Sequence, residues 1–141
     1  MLMRLQLAIN VSDLDAAIDF YCKALGAELN KRESGYANLV LEEPAMKLVL
    51  FETDDVSDRL NHLGFEVFDD QQVEAAATRL AQAGIKNEVQ RSETCCFARQ
   101  NKVITHDPDG TMWEWYRVLE DSPSFFDEPV TEPGAGPACC T

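Results

Sequence analysis

Gln6-Leu7-Ala8-Ile9-Asn10-Val11-Ser12-Asp13 and His62-Leu63-Gly64-Phe65-Glu66-Val67-Phe68-Asp69 decide the fold, because they are one pattern written twice, 56 positions apart. Each reads polar, apolar, small, apolar, polar, Val, and then a turn ending in Asp. The alternation has the period of two that marks a strand with one buried face. A repeat of this kind sets the architecture before any single element boundary does.

Outward from each copy runs an amphipathic helix. Leu14, Ala17, Ile18, Tyr21 and Leu25 recur at helical spacing after the first copy, with Ser12 or Asp13 as N-cap and Gly26 as the stop. Val73, Ala76, Ala77, Leu80 and Ala81 do so after the second, with Gly84 as the stop. Three short strands follow each helix, expected over 27–32, 35–41 and 46–52 and over 86–92, 96–105 and 111–118. The pattern predicts an α+β fold of two βαβββ modules forming one curved mixed sheet, a cup with a concave side. It places a single domain over 1–119, with module one at 1–55 and module two at 56–119. Residues 120–141 hold five acidic residues, four prolines and no Lys or Arg, and end in Cys139-Cys140-Thr141. They read as an acidic, disordered tail.

Strand side chains alternate between faces. Leu5, Leu7, Ile9 and Val11 form the face of the first strand that should meet the helix, so Gln6, Ala8 and Asn10 face the other way. Leu63, Phe65 and Val67 leave His62, Gly64 and Glu66 on the corresponding face of the fifth strand. In the last strand Trp113 and Trp115 form one face and Met112, Glu114 and Tyr116 the other. Gln6, His62 and Glu114 therefore share the side away from the helices. An imidazole, a carboxylate and an amide on one face make a three-ligand set that leaves positions open, the logic of non-haem iron(II) sites. The plainer readings are a surface histidine and a carboxylate held by a structural hydrogen bond. His106, in Thr105-His106-Asp107-Pro108-Asp109-Gly110, belongs to turn chemistry and is expected to be solvated.

The five cysteines are Cys22, Cys95, Cys96, Cys139 and Cys140, four of them in adjacent pairs. Adjacent cysteines bridge each other only with strain. Two thiols on one side of a strand would need a local turn between them. Such a pair can chelate one soft centre, trivalent arsenic above all, or serve as a structural or redox pair. Cys139-Cys140 could gather the same ligand or be dispensable, and Cys22 fits a helix core.

The chain has 141 residues, 45% hydrophobic and 26% charged, with a formal net charge of −13. That charge repels phosphate backbones and anionic lipid, so neither nucleic acid nor membrane is an expected partner. No apolar run approaches the ~18 residues of a membrane span and the N-terminus carries no leader pattern, so the expected address is the cytoplasm. A monomer or a homodimer would fit equally.

Asp107-Pro108-Asp109-Gly110 followed by Glu114 resembles the closing hairpin of the vicinal oxygen chelate superfamily of glyoxalases, bleomycin-resistance proteins and dioxygenases. Leu5–Val11, Gly35–Asn38, Lys47–Leu50, Leu60–Gly64, Thr94–Ala98 and Lys102-Val103 together resemble carbon–arsenic lyases and the related cadmium-induced proteins, over residues 4–119. The resemblance implies dioxygen-dependent cleavage of trivalent organoarsenicals such as methylarsonous acid. It implies iron(II), or another divalent metal at rest, on Gln6, His62 and Glu114, and arsenic near it on Cys95 and Cys96. Tyr36 and Lys102 would be accessory residues, Tyr36 lining the pocket and Lys102 lowering a thiol pKa. The Gln ligand departs from the superfamily's commoner His. The alternatives are a non-catalytic cadmium- or arsenic-binding thiol protein, and another chemistry of the same fold, such as glyoxalase-type isomerisation or ring cleavage.

Overall fold

A computed structural model describes residues 2–122. Its elements run β1 (Met3–Val11), α1 (Leu14–Leu25), β2 (Glu28–Glu33), β3 (Tyr36–Glu42), β4 (Ala45–Glu52), β5 (Leu60–Val67), α2 (Asp70–Gln82), β6 (Glu88–Cys95), β7 (Ala98–His106) and β8 (Met112–Asp121). This is βαβββ written twice, the α+β fold that the repeat predicts. The same residue type opens both helices. Asp13 caps α1 through the Ala16 amide and Asp69 caps α2 through the Gln71 amide, each from an extended backbone. Gly26 closes α1 in the left-handed region, and Gly84 follows α2 at φ +72°.

The chain divides into two compact units, one over Arg4–Leu63 and the other from Gly64 onward with the first residues of the chain. In the first unit the hydrogen-bonded strand order is β2-β3-β4-β1 and then the start of β5. β1 pairs with β4 in parallel, Gln6 opposite Lys47 and Ala8 opposite Val49, while β2, β3 and β4 pair antiparallel. Val11, Leu14, Ala27, Ala37, Leu39, Leu48 and Leu50 form its core, with Leu7, Ile9, Ala17, Ile18 and Tyr21 packed against it. Leu5 departs from the expected pattern: it stands 41% exposed, outside that cluster.

In the second unit the end of β5 is followed by β8, β7 and β6. Val67, Val73, Ala76, Leu80 and Val103 make its core, and Phe65 and Trp115 pack on it. Phe65 stacks on both Trp113 and Trp115, at 6.4 and 5.8 Å between ring centroids, so the aromatic face lies on the helix side as expected. Three strands differ from the sequence reading by two residues or more, β6 among them, which spans Glu88–Cys95 where 86–92 was expected. β8 runs on to Asp121, and the expected strand over 96–105 starts at Ala98, because Cys96 and Phe97 turn the chain.

Candidate functional site

In the first unit, Gln6 on β1 and His62 on β5 are buried and touch, with Nε2 atoms 3.1 Å apart. The neighbouring contacts fix what the imidazole presents. Asn61 Nδ2 donates to Asn10 Oδ1 (3.0 Å), so its Oδ1 is turned to His62 Nδ1, 2.8 Å away. An acceptor there requires a proton on Nδ1, which leaves the lone pair on Nε2. A ring nitrogen held by an outer carbonyl so that the other nitrogen can coordinate is the usual support of a metal-binding histidine. Phe51 lies against His62 (6.3 Å between centroids) and Tyr36 against Phe51 (5.5 Å). Tyr36 is buried, and its hydroxyl accepts from Asn38 Nδ2 (2.9 Å). Asn61 is a residue that sequence reasoning passed over. Its signal was present: the repeat has Leu5 at that position, and the second copy replaces it with a polar residue.

In the second unit Glu114, on β8, is 3% exposed and Lys102, on β7, is 1% exposed. Lys102 Nζ lies 3.2 Å from Glu114 Oε2 and 5.9 Å from the Tyr116 ring centre. Tyr116 in turn donates to Glu66, also buried (3.5 Å). Two charges taken out of water this far need each other. Gly64 makes the space. A Cβ built there would stand 2.5 Å from the Glu114 carbonyl oxygen and 2.7 Å from its Cγ, so no larger residue fits beside this glutamate.

The cysteine pair closes the β6–β7 hairpin. Cys95 ends β6 opposite Ala98, and Cys96 and Phe97 are the two turn residues, at φ +52° and +62°. A two-residue hairpin with positive φ at both positions is the turn that normally takes Asn-Gly or Gly-Gly. A non-glycine residue held there costs on the order of 1–3 kcal/mol and points to a functional demand on the backbone. The result is a vicinal pair with Sγ atoms 3.3 Å apart, far beyond the ~2.05 Å of a disulfide. Cys95 is fully buried and Cys96 half-buried. The turn is braced: Ser122 donates its amide to the Phe97 carbonyl (2.8 Å), and Arg99 reaches both Glu120 (2.8 Å) and Ser92 (2.5 Å).

A bulge puts Cys95 on the polar face. Gln90 is opposite Lys102 and Glu93 is opposite Gln100, so β6 spends one extra residue between them, with Ser92 at φ +55°. Directly paired residues share a face, as do residues two apart. Gln90, Cys95, Ala98, Gln100, Lys102 and Glu114 therefore lie on one side of the β6–β7–β8 sheet, and Val103 faces the helix. Gln100 donates through Nε2 to the Cys95 carbonyl (2.8 Å).

The structure brings together Gln6 with His62, Cys95 with Cys96, and Glu114 with Lys102. It does not bring Lys102 to the thiols. Cys95 stands opposite Ala98, four residues from Lys102 and roughly 13 Å along an extended strand. The Lys102 ammonium pairs with Glu114. His106 is exposed, as expected. Cys139 and Cys140 lie outside the described residues. Among the described residues no three His, Cys, Asp or Glu side chains cluster, so a three-ligand site must draw on another donor type such as the Gln6 amide.

Residues 4–115 match the model of the Glyoxalase/Bleomycin resistance protein/Dioxygenase superfamily. The chain is 46% identical over 140 residues to the "Cadmium-induced protein CadI" of Mycobacterium tuberculosis, covering 97% of this chain and 92% of that one. It is 41% identical over 139 residues to the "Trivalent organoarsenical cleaving enzyme" of Thermomonospora curvata, covering 98% and 88%. In fold it is similar to a solved catechol 2,3-dioxygenase, with a TM-score of 0.59 and 24% identity over 86% of this chain and 44% of that one. It is also similar to the methylmalonyl-CoA epimerase of Mycobacterium tuberculosis, with a TM-score of 0.60 and 23% identity over 82% and 87%. The repeat, the paired modules and these matches agree: the chain belongs to the glyoxalase/bleomycin resistance protein/dioxygenase superfamily, in the family of the cadmium-induced and organoarsenical-cleaving proteins.

Proposed function

We propose that this protein cleaves the carbon–arsenic bond of trivalent organoarsenicals such as methylarsonous acid, with iron(II) and dioxygen, to give arsenite and an oxidised carbon fragment. The observation that carries the reading is the strained Cys95-Cys96 turn. The backbone accepts positive φ at Cys96 and Phe97, and the two sulfurs end side by side on the polar face of the second unit. The organoarsenical-cleaving relative at 41% identity supports it.

Cys95 and Cys96 hold the substrate. Two S–As bonds form, two As–OH groups leave, and the thiol protons depart with them as water. Chelation fixes the arsenical at one place and one orientation. Gln6, His62 and Glu114 hold the metal. The donor set fits a divalent cation: a neutral imidazole with its Nε2 lone pair directed at a buried amide, and a buried carboxylate. Iron(II) bound there supplies open positions for dioxygen. Tyr36 and Phe51 are the apolar wall beside His62. Along β7 the Cys95 partner Ala98 and the Glu114 partner Ile104 are six residues apart, about 20 Å if extended. The reading therefore has the hairpin tip bend toward the polar face. The irregularities at Gln90/Glu93 and at Arg99/Gln100 are where the ladder yields. The expected setting is the cytoplasm, a reducing compartment.

Aerobic turnover of methylarsonous acid, with and without added iron(II), tests this directly. Arsenite is expected only with both iron and air. Cys95→Ser should weaken arsenical binding by at least about 100-fold while sparing the metal, and His62→Ala should do the reverse. A second reading, a non-catalytic thiol protein that sequesters cadmium or arsenic, is favoured by the cadmium-induced relative at 46% identity. Cadmium binding that survives His62→Ala, with no arsenite formed under any condition, would decide for it.

A further inference from the structure

Two buried amide oxygens on the polar face of the second unit have no hydrogen-bond partner among the described residues: Gln90 Oε1 and Gln100 Oε1. The residues are 3% and 5% exposed. Leaving such an acceptor dry forfeits its hydrogen bond to water with nothing in return, and two in one neighbourhood call for a ligand or trapped water. Their amide nitrogens are already used. Gln90 Nε2 donates to Glu88 (3.3 Å) and Gln100 Nε2 to the Cys95 carbonyl (2.8 Å), so each oxygen is turned away from those partners by its own amide. Both lie on the face that carries Cys95. Gln90 is opposite Lys102, Gln100 is two residues from Lys102 on β7, and Ala98, opposite Cys95, is two residues further. The two glutamines are thus diagonal neighbours, about 7–8 Å apart, just beyond the thiols on the way to Glu114.

Resting on the reading of Cys95-Cys96 as the arsenic chelator, we infer that Gln90 and Gln100 form a subsite for the organic substituent of the bound arsenical. It selects a substituent bearing a hydrogen-bond donor, an amino or hydroxyl group. Both oxygens accept and neither donates, so the subsite reads a donor. A bare ring or a methyl group leaves both acceptors unpaired, and a site built to hydrogen-bond its ligand discriminates against analogues that lack the group.

The test is anaerobic equilibrium binding of 4-aminophenylarsonous, phenylarsonous and methylarsonous acids to the full chain, followed by displacement with a competing dithiol. The amino compound is expected to bind about five- to tenfold more tightly than the phenyl compound. Gln90→Met, which leaves the donor to the Cys95 carbonyl in place, should erase that preference with little change in phenylarsonous binding. Gln100→Met should erase it and also weaken all three, because the Cys95 carbonyl loses its donor. Thermal unfolding checks the fold of each variant. Equal binding of the amino and phenyl compounds, or a preference that survives both variants, overturns the subsite and leaves the chelator standing. Failure of the parent chain to bind any of the three would overturn the chelator itself.

Discussion

The β2–β3 hairpin of the first module and the β6–β7 hairpin of the second are the same hairpin in the repeat, and they solve their turns in opposite ways. The first places Ser34-Gly35 between Glu33 and Tyr36, with the one positive φ, +71°, on the glycine. The second places Cys96-Phe97 between Cys95 and Ala98, with positive φ on both residues and no glycine. Glycine takes that conformation without strain, and the first module shows that this fold tolerates it there. The second module keeps two side chains where the backbone would prefer none, and one of them is a cysteine beside another cysteine. On the proposed reading the difference separates scaffold from function: one copy has the turn that folds most cheaply, the other the turn that presents sulfur.

Writing the first copy's residues into the second tests that separation. The largest effect is expected for replacing Cys96-Phe97 by Ser-Gly. Stability should rise by up to about 1 kcal/mol as the strain is released, while arsenical affinity falls at least about 100-fold with the loss of the chelate. Thermal melts and equilibrium binding on one sample read both. If stability fell, the turn would not be strained and the contrast would dissolve.

Asn61→Leu, the residue of the repeat at Leu5, removes the acceptor that holds the His62 tautomer. Metal affinity should drop about 10–100-fold, with arsenical binding to the cysteines intact. Metal titration by calorimetry checks it, and unchanged affinity would mean that the Asn61 contact is only structural.

Gly64→Ala, the residue at Ala8, drives a methyl group to within 2.7 Å of Glu114 Cγ and closer to its carbonyl. A loss of about 1–3 kcal/mol in denaturant unfolding is expected, together with weaker metal binding. The reciprocal Ala8→Gly should show no metal effect, because its partner across the strands is Val49.

The smallest effect belongs to the β7–β8 turn. The Thr111 amide, and after it that of Asp109, hydrogen-bonds Asp107 and holds its carboxyl below the ordinary range. The folded state then binds its proton more weakly than the unfolded chain does. The turn's contribution is present above the unfolded carboxyl value near 3.9 and fades as pH falls through the folded value. Asp107→Asn should therefore lie slightly below the parent in stability at neutral pH and converge with it in acid. A constant gap across that range would show that the charge is not what matters.

Most of the fold was legible because it repeats. Period two and period 3.6 each appear twice in the same order, and the caps Asp13 and Asp69 fall where the patterns change. Gln6 and His62 were legible for the same reason, as one position written twice. The arrangement around the cysteines was not. Counting by twos from Gln90 puts Cys95 on the wrong face, and only the bulge at Ser92, which nothing in Arg91-Ser92 announces, restores it. The Lys102–Glu114 pair was hidden too. The two residues are twelve apart, and they meet only because the register sets Lys102 opposite Tyr116 and Ile104 opposite Glu114.

The glycine beneath Glu114 also orders the steps by which such a site could be copied. In the first module the corresponding pair is Ala8 beside Val49. A carboxylate installed at 49 would meet the methyl group of Ala8, and a glycine installed at 8 would by itself gain nothing. Neither substitution is useful alone, and only one of them is harmless alone. An engineer building a second carboxylate site into the first module must clear the space before placing the acid. A screen of single substitutions would score both positions as uninformative and miss the pair.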